Sequence, residues 1–288
     1  MPLKMRVAFQ GEPGAFSEAA ALQLLGHEIV TVPRATFDST FHAIAETAAD
    51  ALLVPVENSL AGSVVRVYDL LVESNLVITA ETILPIDLNL IGCPGASLED
   101  ISAAYSHPVA LAQCEKFFVA HPHYRRVPAE DTAGSVRQVL ATGNKTCAAI
   151  AGRLAAERYG GEILAARIQD NAENFTRFVL LQPAKQAAEA ATAGARKMSL
   201  AMRLAHRPGA LLAALQPFER HGVNLLKIES RPIHGRPWEY QFFLDVESDS
   251  APRLYEALGD LLKTTHDVRV LGLYVAAARN SQNFTASR

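Results

Sequence analysis

The sequence has no long hydrophobic run, few cysteines and no cluster of basic residues. No stretch of its 288 residues approaches the roughly 20 apolar residues that a membrane-spanning helix needs. The three cysteines, Cys93, Cys114 and Cys147, are too scattered for a disulfide framework or a metal-binding spacing. A net charge of -3 without a basic run argues against a nucleic-acid partner. The start of the chain lacks the apolar core of a secretory signal, so we expect a cytoplasmic, reduced and metal-free protein that needs no cofactor and no membrane.

Several common catalytic motifs are also absent. The sequence contains no Gly-x-x-x-x-Gly-Lys phosphate loop, no Gly-x-Gly-x-x-Gly dinucleotide fingerprint and no Gly-x-Ser-x-Gly elbow. His121 and His123 have no third ligand nearby, which favours a surface loop over a metal site. Ser59, His107 and Asp131 are the residue types of a hydrolytic triad, but nothing in their spacing favours a triad over three separate helix caps.

Strand-like apolar runs alternate with helical segments from residue 6 to residue 181. This alternation is typical of βαβ units and predicts an α/β domain with a mainly parallel sheet. We expect Ser17 to cap the first helix, with Glu18 in its first turn. We also expect one helix over residues 110–119. A chain of this length has room for a second domain with its own core.

The last third of the chain has a different pattern. Residues 183–197 are poor in large apolar side chains, which is typical of a linker. Residues 197–274 then show the order strand, helix, strand, strand, helix, strand. This order is that of a ferredoxin-like βαββαβ domain. No catalytic grouping is evident in this part of the sequence.

Small polar residues follow several of the predicted strands in the first domain. Ligands of open α/β sheets bind beyond the carboxyl ends of the strands. Hydroxyls, amides and N–H groups at helix starts suit an anion, although each alone is also a typical helix cap. The groups are residues 11–17, Glu57, Asn58, Ser59, Gly62, Ser63, Ser106, His107 and residues 131–135. Their recurrence predicts a small anionic ligand and does not specify a reaction.

Thr176 and Arg177 stand directly before the apolar run Val179-Leu180-Leu181, in a segment that otherwise has the composition of a buried strand. An unpaired buried guanidinium is costly, so Arg177 should meet an anion or the surface. Two interpretations stay open from these residues alone. The side chain of Arg177 extends to a surface carboxylate, or it binds an anionic ligand in a cleft.

A series of ordered motifs carries a family resemblance. They are Gly11-Glu12-Pro13-Gly14-Ala15-Phe16-Ser17-Glu18, Val54-Pro55-Val56-Glu57-Asn58-Ser59-Leu60-Ala61-Gly62-Ser63, Tyr68-Asp69-Leu70-Leu71, Ser106-His107-Pro108, Ala110-Leu111-Ala112-Gln113-Cys114, Asp131-Thr132-Ala133-Gly134-Ser135, Ala148-Ala149-Ile150-Ala151, Gln169-Asp170-Asn171 and Thr176-Arg177-Phe178. Together they resemble the prephenate dehydratases of phenylalanine biosynthesis that carry a C-terminal regulatory ACT domain. Val109 departs from the family, which commonly has Gln after Ser-His-Pro, and this departure puts one polar contact in doubt.

The resemblance implies a fold and a domain organisation. It implies a two-lobed α/β catalytic domain like a type II periplasmic binding protein, followed by a ferredoxin-like ACT domain. The expected bounds are 1–183 for the catalytic domain, about 5–80 plus 174–183 for lobe 1, about 86–168 for lobe 2, 184–196 for the linker, 197–278 for the ACT domain and 279–288 for a C-terminal tail. Because the strand pattern begins at residue 6, we expect a monofunctional enzyme. The chain would cross between the lobes twice, which places Thr176 at the edge of the cleft.

The implied reaction is the loss of water and CO2 from prephenate to give phenylpyruvate. By resemblance, Arg177 pairs with a substrate carboxylate and Thr176 donates a hydrogen bond or a proton to the departing C4 oxygen. Glu57 and His107 are the titratable groups that would feed this proton, and Glu57 has a purely structural role as an equal alternative. The expected substrate-binding residues are Asn58, Ser59, Gly62, Ser106, His107, Gln113, Thr132, Ala133 through its N–H group, Asn174 and Phe178, the last by packing in the cleft wall.

The tail is expected to bind phenylalanine as a feedback regulator. By resemblance, the allosteric residues are Gly209, Ala210, Leu211, Leu212, Asn224, Glu229, Ser230, Arg231 and Pro232. Pairing of ACT domains between chains would protect an open sheet edge, so we expect a homodimer or homotetramer. Two alternatives remain. One is an arogenate dehydratase that yields phenylalanine directly, and the other is a non-catalytic protein that binds an anion and senses phenylalanine.

Overall fold

The computed structural model describes residues 4–187, 194–233, 236–265 and 267–278. The chain divides into two compact units. Unit 1 comprises Met1–Val67 and Thr82–Phe178, and unit 2 comprises Tyr68–Glu81 and Val179–Arg288. The expected C-terminal tail and part of the expected linker, residues 188–193, lie outside the described residues. No helix in the described part of the chain is long and apolar enough to cross a membrane.

The first half of unit 1 is built on parallel strands. They are β1 (Arg6–Gln10), β2 (Val30–Arg34) and β3 (Ala51–Asn58), with β1 in the centre. The helices that follow them are α1 (Phe16–Leu25), α2 (Phe37–Ala45) and α3 (Val65–Glu73), and the two-residue strand β4 (Gly62–Ser63) lies antiparallel to the end of β3. Val7, Phe9 and Leu52 are fully buried because apolar side chains fill the space under these helices.

The start of α1 differs from the prediction. Ala15 occupies the N-cap position without a side-chain hydrogen bond, and Ser17 is a buried residue inside the helix. The Glu18 carboxylate instead accepts the Gly14 N–H at 2.6 Å. A carboxylate in the first turn satisfies this N–H, so no capping hydroxyl is needed. The prediction of Ser17 as the cap was wrong, and the placement of Glu18 in the first turn is confirmed.

The second half of unit 1 has its own five-stranded sheet. The strands β6 (Asn89–Gly92), β7 (Ala103–Ser106), β8 (Arg125–Pro128), β9 (Cys147–Ala151) and β10 (Glu162–Ala165) lie in the order β10-β6-β9-β7-β8. Strand β7 is parallel to its neighbours β8 and β9, while β6 is antiparallel to both of its neighbours. The helices are α4 (Pro108–Ala112), α5 (Glu115–Ala120), α6 (Thr132–Thr142) and α7 (Arg153–Tyr159), with a 3-10 turn over Leu98–Asp100.

Two strands connect this sheet with the rest of the chain. The strand β5 (Leu76–Pro85) enters before it and β11 (Phe175–Pro183) leaves after it, so the chain crosses twice as predicted. Along β11 Thr176 is buried, Arg177 is partly exposed and the run from Phe178 to Leu181 is buried throughout. The sequence-based prediction of an interior strand with a polar start is confirmed. The predicted two-lobed α/β architecture is therefore present within unit 1.

Unit 2 contains the predicted βαββαβ domain. After a short helix α8 (Ala184–Ala187), its elements are β12 (Lys197–Arg203), α9 (Ala210–Arg220), β13 (Asn224–Ile233), β14 (Arg236–Glu247), α10 (Ala251–Thr264) and β15 (Asp267–Tyr274). The strands form an antiparallel sheet in the order β13-β14-β12-β15, and β13 is at its edge. Leu200, Phe218, Leu254 and Leu261 form the core between the sheet and the two helices.

Residues Tyr68–Glu81 are part of unit 2, although the sequence-based division placed them in lobe 1. Strand β15 meets β5 where Gly272 pairs with Ile78. A Cβ atom at Gly272 would stand 2.3 Å from the Ile78 carbonyl oxygen, so only glycine allows this approach. Arg269 donates to the backbone carbonyls of Val72 and Ser74. The end of α3 and the start of β5 are thereby fixed to the βαββαβ sheet.

Candidate active site

The end of β3 lies against the start of β11, and their side chains form one hydrogen-bonded group. The amide nitrogen of Asn58 lies 2.8 Å from Asn174 Oδ1, 2.9 Å from Thr176 Oγ1 and 3.1 Å from the carbonyl oxygen of Phe175. Thr176 and Asn174 are both buried. These residues are 116 and 118 positions away from Asn58 in the sequence, so the fold alone brings them together.

The orientation of the Asn58 amide is fixed by the turn that follows β3. Its oxygen accepts the backbone N–H groups of Leu60 at 3.0 Å and Ala61 at 2.8 Å. Since a backbone N–H can only donate, the amide NH2 group must point towards Thr176. The Thr176 oxygen is therefore an acceptor in this contact, and the described residues offer no acceptor for its own proton.

The Asn58 amide is engaged by protein groups, and its expected contact with the substrate stays a prediction. It was predicted to bind a substrate carboxylate, but its two amide protons already face three protein acceptors. The geometry makes Asn58 a residue that orients Thr176. The sequence could not indicate this, because an Asn after a strand is compatible with either role.

Asn174 connects the two lobes of unit 1. It accepts a hydrogen bond from Asn58 in the first lobe, and its own amide nitrogen donates to Gln113 Oε1 in the second lobe at 3.1 Å. Ser59 closes the same corner, since its hydroxyl donates to the Glu173 carbonyl at 2.9 Å and accepts the Phe175 N–H at 3.0 Å. The predicted residues Ser59, Gln113 and Asn174 thus form a scaffold beside Thr176.

Arg177 on β11 and Glu57 on the adjacent strand β3 face each other. Arg177 Nη1 lies 3.9 Å from Glu57 Oε2, and the exposed fractions of the two side chains are 12% and 41%. A guanidinium carries five N–H donors in a planar fork that matches carboxylate geometry. Arg177 is therefore a largely desolvated cation, and it directly follows Thr176 along β11.

His107 and Thr132 follow the adjacent parallel strands β7 and β8, as the strand-end argument predicted. His107 is the N-cap of α4, where its Nδ1 accepts the Val109 N–H at 3.3 Å. Thr132 is the first residue of α6, whose N-cap Asp131 accepts the Gly134 N–H at 2.6 Å. Gly62 lies in the turn after β3 with φ +80°, a conformation that favours glycine. Each of these residues has a local structural role in addition to any contact with a ligand.

Three predicted substrate-binding residues lie in the protein interior. Ser106 has no exposed surface, and its hydroxyl donates to the Ile150 carbonyl oxygen at 2.6 Å. Ala133 is also fully buried, N–H group included, and Phe178 is 2% exposed. Neither Ser106 nor Ala133 is exposed in the described structure, and their expected ligand contacts stay predictions. Phe178 packs in the core, which agrees with a packing role and not with a contact to the ligand.

The motif at residues 11–18 also joins the lobes, a role that the sequence did not assign to it. The Glu18 side chain is buried and bonds to Gly14 N, Thr31 Oγ1 and Arg158. A Cβ atom at Gly14 would stand 2.7 Å from Ala155 Cα in the second lobe. Gly14 has a positive φ, which is typical of a glycine in a turn. Its contact with Ala155, 141 positions away in the sequence, has no signal in the local sequence.

A separate small cavity of about 140 Å³ in unit 2 coincides with the first predicted phenylalanine motif. Its lining residues are residues 204–207, Ala210, Leu211, Tyr240 and Phe242. Gly209 precedes α9 at φ +78°, while Leu212 is 65% exposed and does not line the cavity.

The second predicted motif, Glu229, Ser230, Arg231 and Pro232, lies on the edge strand β13, which Asn224 begins. Arg231 Nη2 lies 3.6 Å from Asp69 Oδ2, and Glu229 pairs with Lys227 at 3.4 Å. None of these five residues lines the cavity in the described structure.

Comparison with known proteins agrees with this architecture. Residues 7–186 match the family described as prephenate dehydratase, and residues 198–263 match the family described as ACT domain. A protein of Arabidopsis thaliana named arogenate dehydratase/prephenate dehydratase 1, chloroplastic, is 38% identical over 94% of this chain and 72% of its own length.

Two solved structures are similar over nearly the whole chain. One, described as prephenate dehydratase of Arthrobacter aurescens in complex with L-Phe, has a TM-score of 0.83 and 33% identity over 94% of this chain and 89% of that one. The other, GqqA, is described as a novel type of quorum quenching acylase and has a TM-score of 0.85 and 35% identity over 94% and 98%. With a family match over more than half of its length, this chain belongs to the prephenate dehydratase family, and it carries a prephenate dehydratase domain followed by an ACT domain.

Proposed function

We propose that this chain is a carbon–oxygen lyase that converts prephenate to phenylpyruvate, water and CO2. Membership in the prephenate dehydratase family supports a dehydratase. The observation that carries the proposal is the Thr176 hydroxyl, whose oxygen accepts a hydrogen bond from Asn58 at 2.9 Å, together with the largely buried Arg177 side chain at the next position of β11. A dehydration needs one donor at the leaving oxygen and one cation for a carboxylate, and this corner supplies both.

The chemistry requires little more from the protein. The bond between the ring and its carboxylate breaks to release CO2, and the electron pair moves into the ring. The C4–oxygen bond then breaks, and the departing hydroxide takes a proton to leave as water. Because the ring becomes aromatic, the driving force lies in the substrate. Thr176 assists the leaving oxygen as a positioned donor, since a free hydroxyl is too weak an acid to ionise in bulk solution.

Arg177 holds a carboxylate of the substrate and sets its orientation. A bidentate pair gives both affinity and geometry, and the low exposure of Arg177 strengthens it. The partly exposed Glu57 faces Arg177. Its side chain either orients Arg177 as a carboxylate or, in the protonated form, supplies a proton to the leaving group. His107, Gly62 and Thr132 complete the proposed lining at the strand ends.

Replacing Arg177 with Lys should raise KM for prephenate by about 10-fold and change kcat by less than about threefold. A lysine keeps the charge but offers a point charge instead of a planar fork. Steady-state formation of phenylpyruvate measures both constants. The matched control is Arg125→Lys, an exposed arginine on β8, which should leave both constants unchanged. An Arg177→Lys variant with wild-type KM would contradict the proposed carboxylate contact.

The assay also separates the competing functions. Side-by-side kcat/KM values on prephenate and arogenate test the substrate preference, and the absence of turnover on both would favour a protein that only binds an anion. An acylase-type function has less support from the site. Such enzymes use an activated nucleophile, whereas the hydroxyls of Ser59 and Ser106 donate to backbone carbonyl oxygens.

We propose that phenylalanine binds the ACT domain and inhibits the enzyme. A similar structure is described as a complex with L-Phe, and the cavity at the start of α9 is lined by apolar side chains together with His206 and Arg207. Saturating phenylalanine should lower activity and raise the unfolding temperature of the protein by a few degrees. Tyrosine at the same concentration is the control ligand. The proposal fails if phenylalanine changes neither quantity.

The remaining features of the organisation are also proposals. We place the catalytic domain at residues 1–183 and the ACT domain at residues 197–278. The open edge strand β13 favours pairing between chains and hence a homodimer or homotetramer. The free cysteines Cys93, Cys114 and Cys147 suit a reducing compartment, in agreement with a cytoplasmic enzyme.

A further inference from the structure

A single carboxylate closes the junction between α4 and α5. Asp170 Oδ2 accepts the N–H of Glu115 and Asp170 Oδ1 accepts the N–H of Lys116, both at 2.8 Å. In addition, the Asp170 N–H donates to the carbonyl oxygen of Gln113 at 2.7 Å. Asp170 thus starts α5 and fixes the backbone of Gln113 at the same time. The single helix predicted over residues 110–119 is two helices for this reason.

Gln113 is the first residue in a line of amides that leads to Thr176. Its Oε1 accepts from Asn174 Nδ2 at 3.1 Å. The Oδ1 atom of Asn174 then accepts from Asn58 Nδ2 at 2.8 Å, and the same nitrogen of Asn58 donates to Thr176 at 2.9 Å. Every amide in this line has one orientation that satisfies its neighbours, so a shift of Gln113 is transmitted to the Thr176 hydroxyl.

The residue at the junction between α4 and α5 is buried. Cys114, which follows Gln113, has no exposed surface, and burial, with a smaller contribution from the nearby Asp170 charge, raises the pKa of its thiol to about 12. Cys114 is therefore an uncharged core residue throughout the working range of pH. It anchors one side of Gln113, and Asp170 fixes the other side.

We propose that Asp170 is a positioning residue for catalysis, which acts through Gln113, Asn174 and Asn58 on the donor geometry of Thr176. This inference rests on the proposed function. Asp170 does not touch the reacting atoms in this scheme. Its effect is on the alignment of the hydroxyl, and a misplacement of the order of 1 Å in a catalytic group can cost about 100-fold in rate.

The test compares Asp170→Ala with Asp170→Asn and with a control carboxylate. Asp100 is a matched control, since it accepts the Ser97 N–H at 3.1 Å and the Ser97 hydroxyl at 2.7 Å at a cap outside the amide line. Asp170→Ala and the control variant Asp100→Ala should lower the unfolding temperature by a similar amount. Only Asp170→Ala should lower kcat, by about 10-fold with KM within twofold, and Asp170→Asn should recover part of this loss because one acceptor remains.

A second readout does not depend on activity. The side-chain amide protons of Asn58 and Asn174 should be protected from exchange in the wild type and in Asp100→Ala, and exposed in Asp170→Ala, in NMR spectra. Loss of this protection without an effect on kcat would overturn the positioning role. Unchanged protection in Asp170→Ala would show that Asp170 does not act on the amide line and would overturn the proposal. A wild-type protein without prephenate turnover would refute the proposed function while the NMR result still tests the line.

Discussion

Replacing Thr176 with Val should lower kcat for prephenate by roughly 100- to 1000-fold, with KM changed by less than about threefold. Valine keeps the branched shape of the buried side chain but replaces the hydroxyl with a methyl group. The departing C4 oxygen then loses its donor, and this interaction strengthens as the carbon–oxygen bond breaks. A contact that matters mainly in the transition state affects kcat more than KM. Phenylpyruvate formation under steady-state conditions measures the change.

Thr176→Ser is the matched control for this prediction. Serine retains the hydroxyl, and the amide nitrogen of Asn58 still holds its oxygen as an acceptor. The serine variant should therefore stay within about 10-fold of the wild-type kcat, a modest loss that reflects the greater rotational freedom of its side chain. Equal activities for Thr176→Val and Thr176→Ser would show that the hydroxyl has no part in the reaction, and the donor would have to be sought at Glu57 or His107.

The polar start of β11 could be predicted from the sequence because local composition decides it. Thr176 and Arg177 before an apolar run predicted a strand and a site at its start. The structure confirms the strand. The role of Asn58 could not be predicted in the same way. Its orientation depends on two backbone N–H groups in the next turn and on acceptors more than 100 positions away. The geometry of hydrogen bonds between distant segments has no signal in the local sequence pattern.

Ser106 and Ala133 show a second limit of reasoning from strand ends. The argument located helix starts at one edge of the second sheet, since His107 and Asp131 cap helices after the adjacent strands β7 and β8. It could not tell which residue of each motif points into the sheet. Ser106 is still part of β7, and its hydroxyl bonds to the Ile150 carbonyl oxygen. A shift of one position along a strand reverses the face of a side chain.

The grouping of residues Tyr68–Glu81 with the C-terminal part of the chain could not be predicted from the sequence either. The motif Tyr68-Asp69-Leu70-Leu71 carried a family resemblance but no indication of its partner. In the structure Tyr68 packs on Phe243 with ring centroids 4.8 Å apart, and Asp69 pairs with Arg231 of the proposed allosteric motif. Such contacts depend on tertiary packing between segments that are far apart in the chain.

The largest stability effect is expected at the buried ion pair of unit 2. Lys197 Nζ lies 2.9 Å from both carboxylate oxygens of Glu81, and the exposed side-chain fractions are 8% and 2%. Replacing Lys197 with Met should lower the free energy of unfolding by about 3–5 kcal/mol, because the variant leaves a buried carboxylate without its cation. Urea denaturation of both proteins measures the difference. Arg253→Met is the matched control, since its pair with Asp249 is exposed and should contribute less than about 1 kcal/mol.

A double variant separates the cost of the unpaired charge from the loss of packing. Lys197→Met combined with Glu81→Leu removes both charges and should recover at least half of the loss, since apolar replacements of a buried ion pair are often neutral or stabilising. Recovery stays incomplete because the Ala277 N–H loses Glu81 as its acceptor, a cost of about 1 kcal/mol. If the double variant were as unstable as Lys197→Met, the loss would come from the packing of the lysine stem. The ion pair would then matter for the geometry of β5 and β12 and not for the charge balance of the core.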